Sequence, residues 1–231
     1  MPESDRVRGI FSAIASRYDL TNRVISCGQD LRWRREVVRL VRARSPKVVV
    51  DLATGSGDLA FALRRRLPDE TSVSGLDFCE PMLEQARLKQ AARPWAGNIR
   101  FARGDCMALD LDDASVDVLT IAWGLRNFED RAKGLAEMRR VLRPGGALYC
   151  LEFSQPYRWI SRPYFFYLNH VVPPLARALT GSKDAYDYLA GTVEAFPGRE
   201  ELALEMCEAG FSSVRAMPRF FSSVAIHEAI R

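Results

Sequence analysis

A small set of residues in the first half of the chain has the types and spacing needed to hold a nucleoside. Asp51 closes the apolar run Val48-Val49-Val50, the small residues Thr54-Gly55-Ser56-Gly57 follow, and Asp58 opens the next segment. Asp77 stands twenty positions beyond Gly57, at the end of a second run, Val73-Ser74-Gly75-Leu76. An acid at that place can accept from both ribose hydroxyls, while glycines let backbone approach a ligand closely. Asp105-Cys106, after a third run, offers a carboxylate to an adenine amino group and a backbone N–H to a ring nitrogen.

Gly55-x-Gly57-x-x-Ala60 also fits a loose dinucleotide fingerprint, so the glycines alone do not choose the ligand. A dinucleotide places its pyrophosphate on a helix N-terminus, where anions are favoured. Asp58 occupies that terminus here and Asp51 lies beneath it, and two carboxylates repel a pyrophosphate. They suit a cation. S-adenosylmethionine carries a sulfonium and an ammonium group, which makes it the expected cofactor over a nicotinamide dinucleotide.

Placing these residues requires alternating strands and helices. The pattern predicts strands at 47–52, 71–77, 98–103, 115–121 and 146–153, and helices at 58–66, 80–91 and 130–141. That alternation predicts an α/β fold, a parallel sheet with helices on both faces. Two further helices, 5–16 and 30–44, precede it, bridged by Tyr18-Asp19-Leu20-Thr21-Asn22. Pro144-Gly145-Gly146 reads as the turn into the last of these strands. From Gln155 to Gly191 the alternation stops, and prolines 156, 163, 173 and 174 interrupt a segment rich in Tyr, Phe and Trp. A helix at 197–209 and strands near 212–218 and 221–229 resume the sheet. The expected organisation is one domain: a helical cap (1–46), a cofactor-binding core (47–154), a substrate lid (155–191) and a C-terminal helix with hairpin (192–231).

At 231 residues the chain can bury a substantial core, and 48% hydrophobic with 27% charged residues is ordinary for a globular protein. Five scattered cysteines show neither paired nor metal-like spacing and predict reduced thiols and no metal. No early run resembles a signal peptide and no apolar stretch spans a bilayer, so a cytoplasmic location is expected. Between Arg32 and Lys47 seven basic residues face one acid, Glu36. That excess reads either as a solvated helix face or as a face that meets anionic lipid. No basic and aromatic groove pattern points to nucleic acid.

Arg140-Val141-Leu142-Arg143-Pro144-Gly145-Gly146 before a strand is frequent in methyltransferases of this type. Together with Trp123-Gly124-Leu125-Arg126-Asn127-Phe128, Tyr18-Asp19-Leu20-Thr21-Asn22, Trp33-Arg34, Leu151-Glu152-Phe153-Ser154-Gln155-Pro156, Tyr188-Leu189 and Phe196-Pro197, it makes the chain resemble the ubiquinone/menaquinone biosynthesis C-methyltransferases. The resemblance covers nearly the whole length. It implies a class I, Rossmann-like methyltransferase fold and C-methylation of a polyprenylated quinol ring with S-adenosylmethionine, most simply demethylmenaquinol to menaquinol. The benzoquinol step of ubiquinone biosynthesis and a small soluble acceptor are the alternatives, and a non-catalytic subunit is a third. The family pattern has Gly-Gly-Thr-Gly-Asp where this chain has Thr54-Gly55-Ser56-Gly57-Asp58, and Ser56 keeps the hydroxyl toward the cofactor. Ala122 stands where some members have a serine near the cofactor, and the end Phe220-Phe221-Ser222-Ser223-Val224-Ala225-Ile226-His227 lacks the usual glycine pair.

For the reaction, the ring is a far better nucleophile as a phenolate, and a phenol titrates near ~10. Arg126 is the expected residue for favouring the oxyanion, directly or through a water. Asn127 is expected to fix the hydroxyl, with Tyr18 and Asp19 closing over the site. The competing readings pair Arg126 with Glu129 or Asp130, make Asn127 a helix cap and leave Tyr18 as packing. His170 is a weaker candidate base, and His227 reads as structural. A transient contact with the inner membrane face is expected because the prenyl tail resides there, and a homo-oligomer is compatible with the sequence.

Overall fold

Three valines in a row, with Val49 and Val50 buried, put β1 (Val48–Leu52) in the interior of the sheet. Such β-branched runs suit a parallel strand covered on both faces. The computed structural model describes residues 9, 12, 18–180 and 184–231. β1 pairs in parallel with β2 (Ser72–Asp77) and with β4 (Val116–Ala122). β3 (Ile99–Arg103) continues beside β2, and β5 (Leu142–Phe153) beside β4. The closing hairpin of β6 (Ser213–Arg219) and β7 (Val224–Ile230) inserts antiparallel, giving the order β3-β2-β1-β4-β5-β7-β6. The chain reverses direction across the sheet between β1 and β4, where open α/β sheets hold ligands.

Side chains alternate across each strand, so Val49 and Val50 feed opposite cores. On one face α1 (Tyr18–Ile25) leads into α2 (Gln29–Ala43), and Trp33, Val37 and Val41 of α2 pack with Leu59 and Phe61 of α3 (Asp58–Arg64). The opposite core takes Leu135 and Met138 from α5 (Arg131–Val141), after α4 (Glu80–Ala91) in chain order. Leu202 and Met206 join them there.

Several expectations change. The helix expected at 5–16 lies outside the described residues except at Gly9 and Ser12, both of which are helical. The Tyr18–Asn22 bridge is the first part of α1. Pro144-Gly145-Gly146 is a bulge inside a longer β5, where the register to β4 shifts between Val116 and Val118 and Gly145 takes φ +76°. The prolines do not break the aromatic segment. α6 (Arg158–Phe166) runs through a π-helical turn at Tyr167–Val171 into α7 (Val172–Thr180), followed by α8 (Asp184–Ala195) and α9 (Arg199–Glu208). A proline ring clashes with the carbonyl four residues back, and the wider turn makes room ahead of Pro173 and Pro174.

Candidate active site

The ends of β3, β2, β1 and β4 form the floor of a cavity of about 310 Å³. Four adjacent strand ends at ~4.8 Å spacing give a floor roughly 14 Å long, enough for an extended nucleoside with an amino-acid arm. Asp105 and Cys106 stand at its β3 end, Asp77 over β2, Asp51, Gly55 and Ser56 over β1, and Ala122 and Asn127 over β4. The sequence pattern thus brings its nucleoside residues into one wall, with one exception. Gly57 does not line the cavity. Its φ is +84°, and a Cβ there would fall 2.8 Å from Phe101 Cζ and 2.9 Å from Phe61 Cε2. The turn and the helix–strand packing are by themselves enough to require glycine there.

The acids in this wall differ in what already satisfies them. Asp51 is buried, and accepts from the Thr54 and Thr120 hydroxyls, each at 2.6 Å. Asp77 accepts from the backbone N–H of Gly55 (2.7 Å) and of Cys79 (2.9 Å). Burial outweighs these hydrogen bonds and pushes both carboxyls up to about 6. Asp105 is exposed and accepts from the Met107 N–H at 2.8 Å. Burial likewise pushes the Cys106 thiol up to about 12, so it stays neutral.

Asp58 is otherwise than expected. Its carboxylate meets Lys89 at 2.9 Å, Arg34 at 3.5 Å and Arg23 at 3.9 Å, and these cations hold its pKa down against the effect of burial. It is a compensated charge and, contrary to what the sequence predicts, offers no net attraction to a cationic ligand. Asp51 and Asp77 remain for that role. Lys89 also binds Asp19 and Ser56 Oγ, and Asp19 accepts from Ser56 Oγ at 2.6 Å, which fastens α1 over the β1 turn.

A second cavity of about 530 Å³ adjoins the first and is lined mainly by Trp33, Phe153, Ile160, Tyr164, Tyr167, Leu168, Phe220 and Phe221. Trp123 belongs to both walls. Its φ of +62° is unusual for a bulky residue and holds the indole against Phe153 (4.7 Å between centroids) and Trp33 (5.9 Å). Ala53, Cys27, Phe220 and Phe221 also combine positive φ with a place in one of the two walls. Such backbone persists only where the surroundings over-determine it.

Arg126 lies on the apolar cavity and has a counter-charge in Glu152. Nη1 donates to Glu152 Oε1 at 2.9 Å and to the Trp123 carbonyl at 2.6 Å, with the guanidinium over the Phe153 ring. Glu152 is 0% exposed. Because that buried counter-charge neutralises Arg126, its reach toward an oxyanion is that of a hydrogen-bond donor more than of a net positive charge. Asn127 Oδ1 accepts from the Tyr188 hydroxyl at 3.1 Å, tying the β4 loop to α8. The cap of α5 is Asp130, which accepts from the Lys133 N–H at 2.9 Å, so Asn127 is no cap. Tyr18 opens α1, and its side chain lies outside the described residues. His170 is exposed and stacks on Phe166; His227 is buried against the Arg199 carbonyl.

The sequence reading missed Glu152, Lys89 and the Asp30–Arg34 pair as parts of the site. Glu152 carried a signal, since an acid within Tyr149-Cys150-Leu151-Glu152-Phe153 enters a buried strand only with a partner. The basic stretch also divides. Arg34 is buried and reaches the wall of the polar cavity as well as an outer groove beside Trp95, whereas Arg35, Arg39, Arg42, Arg65, Arg66 and Arg93 line the groove alone.

The sequence profile described as the ubiE/COQ5 methyltransferase family matches residues 1–231. A demethylmenaquinone methyltransferase of Thermus thermophilus is 47% identical over 219 residues, covering 94% of this chain and 98% of that protein. A ubiquinone/menaquinone biosynthesis C-methyltransferase UbiE of Geobacter sulfurreducens is 40% identical, covering 97% of this chain and 88% of that one. Among solved structures, a possible histamine N-methyltransferase from Thermotoga maritima aligns with TM-score 0.65 at 18% identity, over 96% of this chain and 98% of that chain. A SAM-dependent methyltransferase from Aquifex aeolicus aligns with TM-score 0.58 at 19% identity, over 80% of this chain and 81% of that chain. At such identities the two structures speak to the fold alone.

Proposed function

Because this chain belongs to the ubiE/COQ5 methyltransferase family, we propose that its two adjoining cavities receive the two reactants of one methyl transfer. The enzyme is an S-adenosylmethionine-dependent C-methyltransferase of quinone biosynthesis, with demethylmenaquinol as the acceptor that best fits its relatives. The observation that carries the two-cavity reading is Trp123, a single side chain standing in both walls.

In the polar cavity, Asp77 receives the ribose, Asp105 and Cys106 the adenine, and Asp51, Gly55, Ser56 and Ala122 surround the sulfonium end. The fit rests on two buried carboxylates whose raised pKa values a cation would relieve. When bound, the cofactor supplies an electrophilic methyl group. The apolar cavity takes the quinol ring, and its aromatic wall excludes water from the acceptor. Arg126 and Asn127 stand at the junction and hold a ring oxygen in its anionic form by hydrogen bonding. Glu152 has no exposed surface and serves as the counter-charge that fixes Arg126, not as a base. Asp19, Asn22 and Ile25 of α1, opposite Ile160 and Tyr164 of α6, complete the enclosure.

A prenylated acceptor requires a surface that meets lipid. No helix among the described residues is long and apolar enough to cross a membrane. Trp159 is 69% and Phe166 61% exposed on α6, outside the apolar cavity that Tyr164 lines. Arg35, Arg42, Arg65 and Arg66 have no carboxylate within ion-pair distance among the described residues. These features support peripheral contact with an anionic bilayer face, each nearby cation adding about 1 kcal/mol.

Incubation with methyl-labelled S-adenosylmethionine and either demethylmenaquinol or the corresponding benzoquinol tests the reading. Label on the naphthoquinol ring carbon is expected. Label on the benzoquinol alone would move the enzyme to the ubiquinone step, and label on neither would overturn the acceptor assignment.

A further inference from the structure

The acidic wall of the polar cavity leaves one part of the cofactor unmatched, namely the carboxylate on its amino-acid arm. An anion set among Asp19, Asp51 and Asp58 needs a cation with free donors. Lys89 spends its donors on Asp19, Asp58 and Ser56. Arg103 lines the cavity but is exposed at the β3 end, beside Asp105, where the adenine belongs.

Arg34 is different. It projects from α2 into the cavity wall and is 7% exposed. A guanidinium has five N–H donors. Nη1 meets Asp30 Oδ2 at 2.7 Å and Asp58 Oδ2 at 3.5 Å, and Nη2 donates to no described residue. Nε is buried without a hydrogen-bond partner. Nε is thus closed to a ligand, whereas Nη2 is neither paired with a described residue nor sealed and is the group that can donate to an anion in the cavity. The two carboxylates on Nη1 fix the plane of the fork, and a planar fork matches a carboxylate. Trp33, the preceding residue, packs on Trp123 and so anchors this turn of α2 next to the methyl-transfer junction.

We infer that Arg34 is the receptor for the α-carboxylate of the cofactor's amino-acid arm, an inference that rests on the proposed occupancy of the polar cavity. The helix before the sheet thereby selects nucleosides bearing an intact amino acid, and its ion pairs with Asp30 and Asp58 set the position of that arm.

Calorimetry on the full chain tests this with two ligands, S-adenosylhomocysteine and its descarboxy analogue, which keeps the amine and lacks the carboxylate. Wild type should prefer S-adenosylhomocysteine. Arg34→Met should weaken it by about 10- to 100-fold. The analogue should bind as before, so the preference collapses. Arg34→Lys keeps a buried charge opposite Asp30 and should give a smaller loss of the same sign, which maintains the test should the Met variant fail to fold. Equal losses for both ligands would mean that Arg34 only holds α2 in place, and an unchanged preference would remove it from the site. If wild type binds neither ligand, the cofactor reading itself falls, and this is told apart because no variant is needed to see it.

Discussion

The two cavities share Trp123 and are built by opposite means. The polar one takes most of its residues from strand ends and the turns directly after them, with Asp19 of α1 and Arg34 of α2 added from outside the sheet. The apolar one is assembled from α1, α2, α6, the end of β5 and the β6–β7 loop, and the buried charges on its wall, Arg126 and Asp30, are paired with Glu152 and Arg34. Polar recognition is thus written locally on the sheet, whereas acceptor recognition depends on elements far apart in the chain docking against one another. Loss of a single group should therefore act on affinity in the first cavity and on folding in the second.

The sharpest test is Arg126→Met. It leaves Glu152 buried without its counter-charge, and stranding one partner of a buried pair costs about 3–5 kcal/mol. Urea unfolding should show that loss, and Arg126→Met with Glu152→Met should regain most of it. A single variant as stable as wild type would mean the apolar cavity is as locally built as the polar one.

Asp77→Asn should act the other way. The fold keeps its β2 end, while the carboxylate that receives the ribose is gone. Losing hydrogen bonds to a charged acceptor costs about 1.5–3 kcal/mol, or roughly 10- to 100-fold in S-adenosylhomocysteine affinity. Titration with unchanged affinity would remove Asp77 from the ribose site.

What the sequence made legible follows the same division. Asp51, Gly55, Asp77 and Asp105 could be placed because each sits at a short, fixed offset from a strand end. The Arg126–Glu152 pair joins positions 26 apart through the β4–β5 pairing, and Asn127 meets Tyr188 across 61 residues. No local period reports such contacts. The proline-rich segment misled for a different reason: a π-helical turn lets helix continue past prolines that would otherwise end it. Asp58 was legible as an acid at a helix N-terminus, but its cations come from α1, α2 and α4.

A pH titration separates the cavities again, with a smaller effect. Asp51 and Asp77 are pushed up to about 6 from the model-compound value of 3.8. Between those values the folded state binds more protons than the unfolded one, so stability rises as pH falls from about 7 toward 5. Each group contributes on the order of 1 kcal/mol across that window. Cofactor affinity should move in the opposite direction, because protonation removes the charge that a cationic ligand meets. Calorimetry showing S-adenosylmethionine affinity level from pH 7 to pH 5 would break the link between these carboxylates and the ligand.

The smallest effect concerns how the two regions hold left-handed backbone. At the polar turn a glycine, Gly57, takes φ +84°, whereas at the rim of the apolar cavity Phe220, Phe221 and Ser222 take φ 40°, 56° and 70° in succession. Left-handed backbone costs a non-glycine residue about 1–2 kcal/mol. Ser222→Gly removes that strain, but it also removes the hydroxyl that accepts from Arg199 and adds freedom to the unfolded chain. These effects offset, and the net change should stay within about 1 kcal/mol of zero. Ser222→Ala loses the same hydrogen bond and keeps the strain, so it should be less stable than Ser222→Gly by about 1 kcal/mol. Urea midpoints for the two variants make the comparison without reference to activity. If alanine equals or exceeds glycine, the loop relaxes at no cost and the rim is soft. If glycine is the more stable, the rim is held under strain by Trp159 and Arg199 packed around it, and the mouth of the apolar cavity is a rigid feature of the fold.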